Sequence, residues 1–199
     1  NGNLICSGDS DGKVLIWEYD TESELTEFSI TSGTIETVTW SNDGNKVAVG
    51  GSGDIVEVRD QSDGNLLTTF NGHNNTIYSI DFTTDDTKVI SGDRDDLVKV
   101  WYSDNGEEIY SFSNHTGWVY AVQSYPNGAK VISGSTDDTV KIWDIEDGTI
   151  ELNFTQSTDR ISCLDVANDG TKFVCAGGFG SPEDPRVIEL TQSNNLHFE

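Results

Sequence analysis

The chain matches itself when shifted by 42 residues, and nothing else in the sequence restricts its fold as much. Valines recur at Val14, Val56, Val98 and Val140, phenylalanines at Phe28, Phe70, Phe112 and Phe154, and lysines at Lys46, Lys88, Lys130 and Lys172. Two further apolar columns precede each lysine: Ile35, Ile77, Val119, Ile161 and Val38, Ile80, Val122, Leu164. The unit is plainest between His115 and Asp144. Val119 and Val122 lie in one apolar strand, Pro126-Asn127-Gly128 turns the chain, and Lys130 to Ser133 forms a second strand. Thr136-Asp137-Asp138 turns it again, Val140, Ile142 and Trp143 make a third strand, and Glu146-Asp147-Gly148 leads into a fourth, Ile150 to Phe154.

A repeat of this length made of four short strands is the pattern of a propeller blade. The predicted fold is all-β, a β-propeller of four-stranded antiparallel blades in a single domain over 1–199. Its blades run over 1–30 (partial), 31–72, 73–114, 115–156 and a divergent 157–199. The residues that punctuate the unit resemble the WD-repeat (WD40-type) family, in which a Gly-His precedes the first strand, an Asp sits between strands two and three, and Trp-Asp closes the third. Gly72-His73, Asp95 and Trp101 follow that order, as do His115, Asp137 and Trp143-Asp144. The resemblance implies hydrogen-bonded networks of His73, Ser91, Asp95 and Trp101 and of His115, Ser133, Asp137 and Trp143, with Ser7, Asp11 and Trp17 as the remnant in the first blade. The second blade changes all four positions together, to Thr31, Val49, Gly53 and Arg59, as expected when a half-satisfied buried network is worse than none. The fifth has Ser157, Cys175 and Thr191 in these columns, and its extra residues fall in a loop from Gly177 to Arg186.

The chain holds about 4.7 units, opens at a second strand and contains no Met, from which we expect part of a larger, seven- or eight-bladed ring. It carries 35 acidic against 11 basic residues, a net charge of -24, which repels nucleic acid and anionic membrane surfaces and favours proteins with basic surfaces. No apolar run is long enough to span a membrane. Cys6, Cys163 and Cys175 are too few for a disulfide framework and fit a reducing, intracellular and cytoplasmic setting. Pairing about the Asp169-Gly170 turn places Cys163 opposite Ala176, so it does not face Cys175. The sequons at Asn74, Asn114 and Asn153 are no more than chance gives in a chain this rich in Asn, Ser and Thr.

No catalytic, cofactor or metal motif stands out. His73 and His115, with Ser91 and Ser133, are already accounted for by the repeat, and Asp9-Ser10-Asp11-Gly12 lacks the downstream Glu of a calcium loop. The resemblance implies a non-catalytic scaffold for protein–protein interaction within a multi-subunit complex. The alternative is a propeller that binds a small ligand or calcium, or hydrolyses a substrate, at its central channel. The candidate partner contacts are Trp118, Arg59, Arg94, Asp96 and Asp138, aromatic, arginine and acidic residues at or near loops.

Overall fold

The structure, a computed structural model, describes residues 2–155, 160–177, 186–189 and 197–198, the last two segments by their backbone. Among these residues there are strands and turns and no helix, so no helix long and apolar enough to cross a membrane. Blade 1 has three strands, β1 (Leu4–Gly8), β2 (Lys13–Glu18) and β3 (Ser23–Ser29). Blade 2 has four, β4 (Ile35–Trp40), β5 (Lys46–Gly51), β6 (Val56–Asp60) and β7 (Leu66–Phe70). Blade 3 contains β8 (Ile77–Phe82), β9 (Lys88–Asp93), β10 (Val98–Tyr102) and β11 (Glu108–Phe112), and blade 4 contains β12 (Val119–Ser124), β13 (Lys130–Ser135), β14 (Val140–Asp144) and β15 (Ile150–Phe154). Blade 5 contains β16 (Cys163–Val166), β17 (Lys172–Ala176), β18 (Arg186–Glu189) and β19 (His197–Phe198). Each sheet is an antiparallel meander in chain order.

The turns explain much of the acidic composition. Asp43, Asp85, Asn127 and Asp169 each accept the amide two residues on, at 2.9 to 3.1 Å, in the turn between the first two strands of a blade. The residue after each, Gly44, Asp86, Gly128 or Gly170, takes a left-handed φ between 57° and 73°, where glycine and short polar side chains are tolerated. Asp63, Asn105 and Asp147 repeat the device between strands three and four. These bonds favour the charged carboxylate. The hydroxyl of Thr83 with the amide and hydroxyl of Thr87 pulls Asp85 down to about 2, against the opposing effect of burial.

The apolar columns meet between blades rather than within them. Ala48, Val56, Val58 and Phe70 of blade 2 face Ile77, Ile80, Phe82, Val89 and Trp101 of blade 3, and the same sets recur between blades 3 and 4. At the centre of each junction a Phe of one blade stacks on the Trp of the next: Phe70 on Trp101 at 4.9 Å between centroids and Phe112 on Trp143 at 4.7 Å. Val47, Val89 and Val131 are wholly buried by the preceding blade, whereas Ile5, in the same column of blade 1, is 49% exposed.

The first strands, β4, β8, β12 and β16, lie beside one another and form the inner side of the arc. Side chains clip them together. Ser79 Oγ accepts the amide of Val122 at 3.0 Å, Asp81 accepts that of Ser124 at 2.8 Å, and Gln123 Oε1 accepts that of Val166 at 2.9 Å.

Blade 5 departs from the sequence reading in its register. Lys172 pairs with Glu189 and Phe173 with Ile188, as Lys130 pairs with Asp144 and Val131 with Trp143. The Trp column therefore falls on Ile188 and not on Thr191, because a backbone ladder, unlike a count from the preceding repeat, fixes which residue is opposite which. A fourth strand is also present, with Phe198 opposite Ile188. Cys163 lies opposite Ala176 and Cys175 opposite Leu164, so the two do not face each other across the ladder. Ser157, Thr191 and most of the Gly177 to Arg186 loop lie outside the described residues.

Asp81 gives this fold a pH signature. Burial pushes its carboxyl up to about 6, against the hydrogen bonds it accepts from the amides of Ser124 and Phe82, while the charge of Asp86 adds to the rise. A folded-state value above the unfolded one means that folding favours the protonated form. Stability is therefore fully present below the unfolded value near 4 and falls as pH rises through about 6. Asp81→Asn is expected to raise stability at pH 7.5 by on the order of 2–3 kcal/mol, with the gain gone at pH 4, as read by denaturant unfolding at the two pH values.

Candidate functional site

The chain has two kinds of site, buried polar relays inside blades 3 and 4 and an exposed aromatic rim where these blades meet. The relay in blade 4 is complete. Trp143 Nε1 lies 2.8 Å from Ser133 Oγ, Ser133 Oγ 2.8 Å from His115 Nε2, and His115 Nδ1 2.9 Å from Asp137. An indole N–H can only donate, so Ser133 accepts from Trp143 and donates to an unprotonated Nε2, leaving the Nδ1 proton for Asp137. Burial pushes the Asp137 carboxyl up, but bonds from His115, from Thr139 and from the Thr116 amide outweigh it and hold the group well below the usual carboxylate range. This arrangement has the order of a nucleophilic triad. Ser133 is fully buried and its oxygen is already engaged by Trp143, so no substrate can reach it.

Blade 3 builds the relay from a different acid. His73 Nδ1 meets Asp93 at 2.7 Å and its Nε2 meets Ser91 at 2.6 Å, while Asp95 is exposed and accepts from Asn75. Asp93 shares a face of β9 with Ser91, so its carboxylate reaches the imidazole directly, and it also accepts the amides of Asp95 and Leu97 to close the hairpin. In blade 4 that column is Ser135, too short to reach the imidazole, and the acid two residues on is used instead. Trp101 Nε1 is, among the described residues, the one buried side-chain nitrogen or oxygen without a hydrogen-bond partner. In blade 1, Ser7 and Asp11 are exposed, Trp17 is half-buried, and no hydrogen bond joins them. There Asp9 closes the hairpin by accepting the amides of Asp11 and Lys13, which spends an oxygen of the calcium-like sequence on its own backbone.

Blade 2 has a substitute where the sequence reading has a loss. Glu57, 2% exposed, accepts the amide of Thr31 at 2.9 Å as well as its hydroxyl, and pairs with Arg59 through Nε at 2.9 Å. The Arg59 guanidinium lies 5.4 Å from the Phe28 centroid and also donates to the carbonyl of Gly64, so it keeps the planar stack that a Trp makes in the other blades. Arg59 is thus turned inward and committed, and does not serve as a partner contact. The physical reason is that a buried carboxylate with no cation would be far costlier than an unfilled surface position.

The remaining candidates gather on the other site. In blades 2, 3 and 4 the first strand carries a bulge at one column, where Glu36, Tyr78 and Tyr120 are extra residues opposite no single partner. Tyr78 and Tyr120 stack at 4.5 Å across the blade junction. Trp118, 37% exposed, stands 6.1 Å from both rings, and the Arg94 guanidinium lies 4.4 Å from its centroid. Burial and the neighbouring Tyr120 raise the Tyr78 hydroxyl above its ordinary value. Among the described residues Arg94 makes no ion pair with Asp93, Asp95 or Asp96, and its guanidinium lies over the indole face of Trp118 instead. Asp96 and Asp138 take the left-handed position of the hairpins beside this rim, at φ 66° and 64°. Burial, then Asp93, Asp137 and Asp95, raise the Asp96 carboxyl.

The sequence reading missed Glu36, Tyr78 and Tyr120, yet a signal existed. The apolar columns at Ile77 and Ile80 are three residues apart, which a regular strand cannot put on one face. A bulge between them follows.

The two relays should differ in what their serine supports. Ser133→Ala strands both Trp143 Nε1 and His115 Nε2 and is expected to cost about 3 kcal/mol, whereas Ser91→Ala strands only His73 Nε2 and is expected to cost about 1–2 kcal/mol, in matched denaturant titrations. Arg59→Ala, which leaves Glu57 buried without its cation, is expected to cost about 3 kcal/mol or more in the same assay.

Residues 64–102 and 106–144 match the family model for the WD domain, G-beta repeat. No curated protein matches the chain. The two matched stretches contain the hairpins that carry His73 and His115, the Phe–Trp stacks and the bulged tyrosines. WD-repeat domains are in general non-catalytic scaffolds that mediate protein–protein interaction. Residues 64–102 and 106–144 thus carry WD repeats, and the four-stranded antiparallel blades that recur every 42 residues agree with that match.

Proposed function

We propose that this chain is a non-catalytic scaffold subunit of a larger protein assembly, and that it holds a partner at the rim formed by Tyr78, Trp118, Tyr120 and Arg94. The observation that carries the reading is Trp118. A large aromatic ring stands exposed beside a stacked tyrosine pair, on a backbone held by the hairpin amide of Thr136, which donates to the Trp118 carbonyl at 2.9 Å. Rigid aromatic anchors of this kind dominate binding energy at protein interfaces. Asp96 and Asp138 border the rim as acidic contacts, and the net charge of -24 favours a partner with a basic surface. The flank of blade 1 that exposes Ile5 and leaves Trp17 partly buried is a second contact, for a blade surface like those that cover Val47, Val89 and Val131 in a larger ring. Three cysteines, too few for a disulfide framework, fit an intracellular, cytoplasmic setting.

A photo-reactive phenylalanine placed at 118 tests the reading against the same group at Tyr19, which is 66% exposed and away from the rim. Covalent adducts to discrete basic proteins of the native source are expected from 118 and not from 19. Equal labelling from both positions would sink the rim as a partner surface.

A further inference from the structure

On the reading that the rim is a partner surface, we propose that Arg94 is a stand-in for its ligand. The site takes an arginine of a basic partner protein, and the incoming guanidinium displaces that of Arg94 from the face of Trp118.

Arg94 belongs to the hairpin of blade 3 and Trp118 to the lead-in of blade 4, so the 4.4 Å contact between them spans the blade junction. Arg94 is exposed, its main-chain amide is fixed by the Thr76 carbonyl at 2.9 Å, and among the described residues no carboxylate lies within ion-pair distance of its guanidinium. Only the indole face holds it. A cation on an exposed ring is a weak contact, readily exchanged for an equivalent one. The molecule thereby shows which chemical group the rim accommodates, a planar cation.

The surroundings favour importing such a group from outside. Tyr78 and Tyr120 extend the aromatic surface inward, and Glu36 acts on Tyr78 from the next first strand. Asp95, Asp96, Asp137 and Asp138 stand on the hairpins beside the rim, and Asp96 is crowded by the charges of Asp93, Asp137 and Asp95. One internal cation does not balance these carboxylates. A partner arginine that stacks on Trp118 and releases Arg94 brings positive charge to them without leaving any buried group unpaired. An acidic partner would meet the opposite field, and could pair only with Arg94 itself.

The two occupants give opposite signs for one substitution, which makes the proposal testable on the intact 199-residue chain. The probes are fluorescein-labelled dodecapeptides carrying four arginines, four lysines or four glutamates in a Gly-Ser background, titrated at low salt and followed by anisotropy. The arginine peptide is expected to bind more tightly than the lysine peptide, to lose severalfold in affinity with Trp118→Ala, and to gain about two- to fivefold with Arg94→Ala, the worth of one exposed cation–ring contact. Weakened binding of the arginine peptide with Arg94→Ala, or tighter binding of the glutamate peptide to the native chain, overturns the stand-in while keeping the rim as a partner surface. Equal binding of arginine and lysine peptides that ignores Trp118→Ala, or no saturable binding at millimolar peptide, overturns both. Circular dichroism of the two variants, whose changed side chains are exposed, separates any of these outcomes from a folding defect.

Discussion

The stack of one blade's phenylalanine on the planar group of the next is the contact on which the rest of the structure depends. Phe28 meets the guanidinium of Arg59, Phe70 meets Trp101 and Phe112 meets Trp143. Each sheet is too thin to enclose a core of its own, so its apolar residues are satisfied only by a neighbour. The stack fixes the distance and angle of that neighbour, and thereby brings the first strands close enough for Ser79, Asp81 and Gln123 to bond across. In blade 4 it also aims the indole N–H at Ser133, so that apolar packing between blades and polar bonding within a blade meet at one side chain.

Behind the stack, three blades satisfy the same buried demand with different parts. Blade 4 uses Trp, Ser, His and Asp137, and blade 3 uses His73 with Asp93 and leaves the Trp101 N–H without a partner. Blade 2 replaces the whole set by Arg59, Glu57 and Thr31. What is retained is a pairing rule. In these sets each buried carboxylate has its counter-charge or its donors, while the identity of the residues is free to change together.

This is also where legibility in the sequence ends. The blades, their strands and most turns could be read from the columns, because apolar alternation and left-handed turn positions are local properties repeated without drift. The choice of Asp93 over Asp95 could not, since both stand in the same hairpin and only the direction of a side chain from β9 decides between them. Glu57 was hidden for a related reason. Its column holds lysines in the next two blades, Lys99 and Lys141, and nothing local marks it as the counter-charge of a residue two positions on. The bulged column was legible in principle from its three-residue spacing, but its significance came only from the way Tyr78 and Tyr120 meet across blades.

That bulged column has an evolutionary corollary. A residue opposite no cross-strand partner is released from the pairing preferences that restrict its neighbours, and it can vary without loosening the sheet. Glu36, Tyr78 and Tyr120 therefore form a short row that can be edited without disturbing the repeated frame of strands. Duplication of a blade copies the frame, and drift at this one position then rewrites what the inner surface displays, so new recognition can arise here at almost no expense to folding.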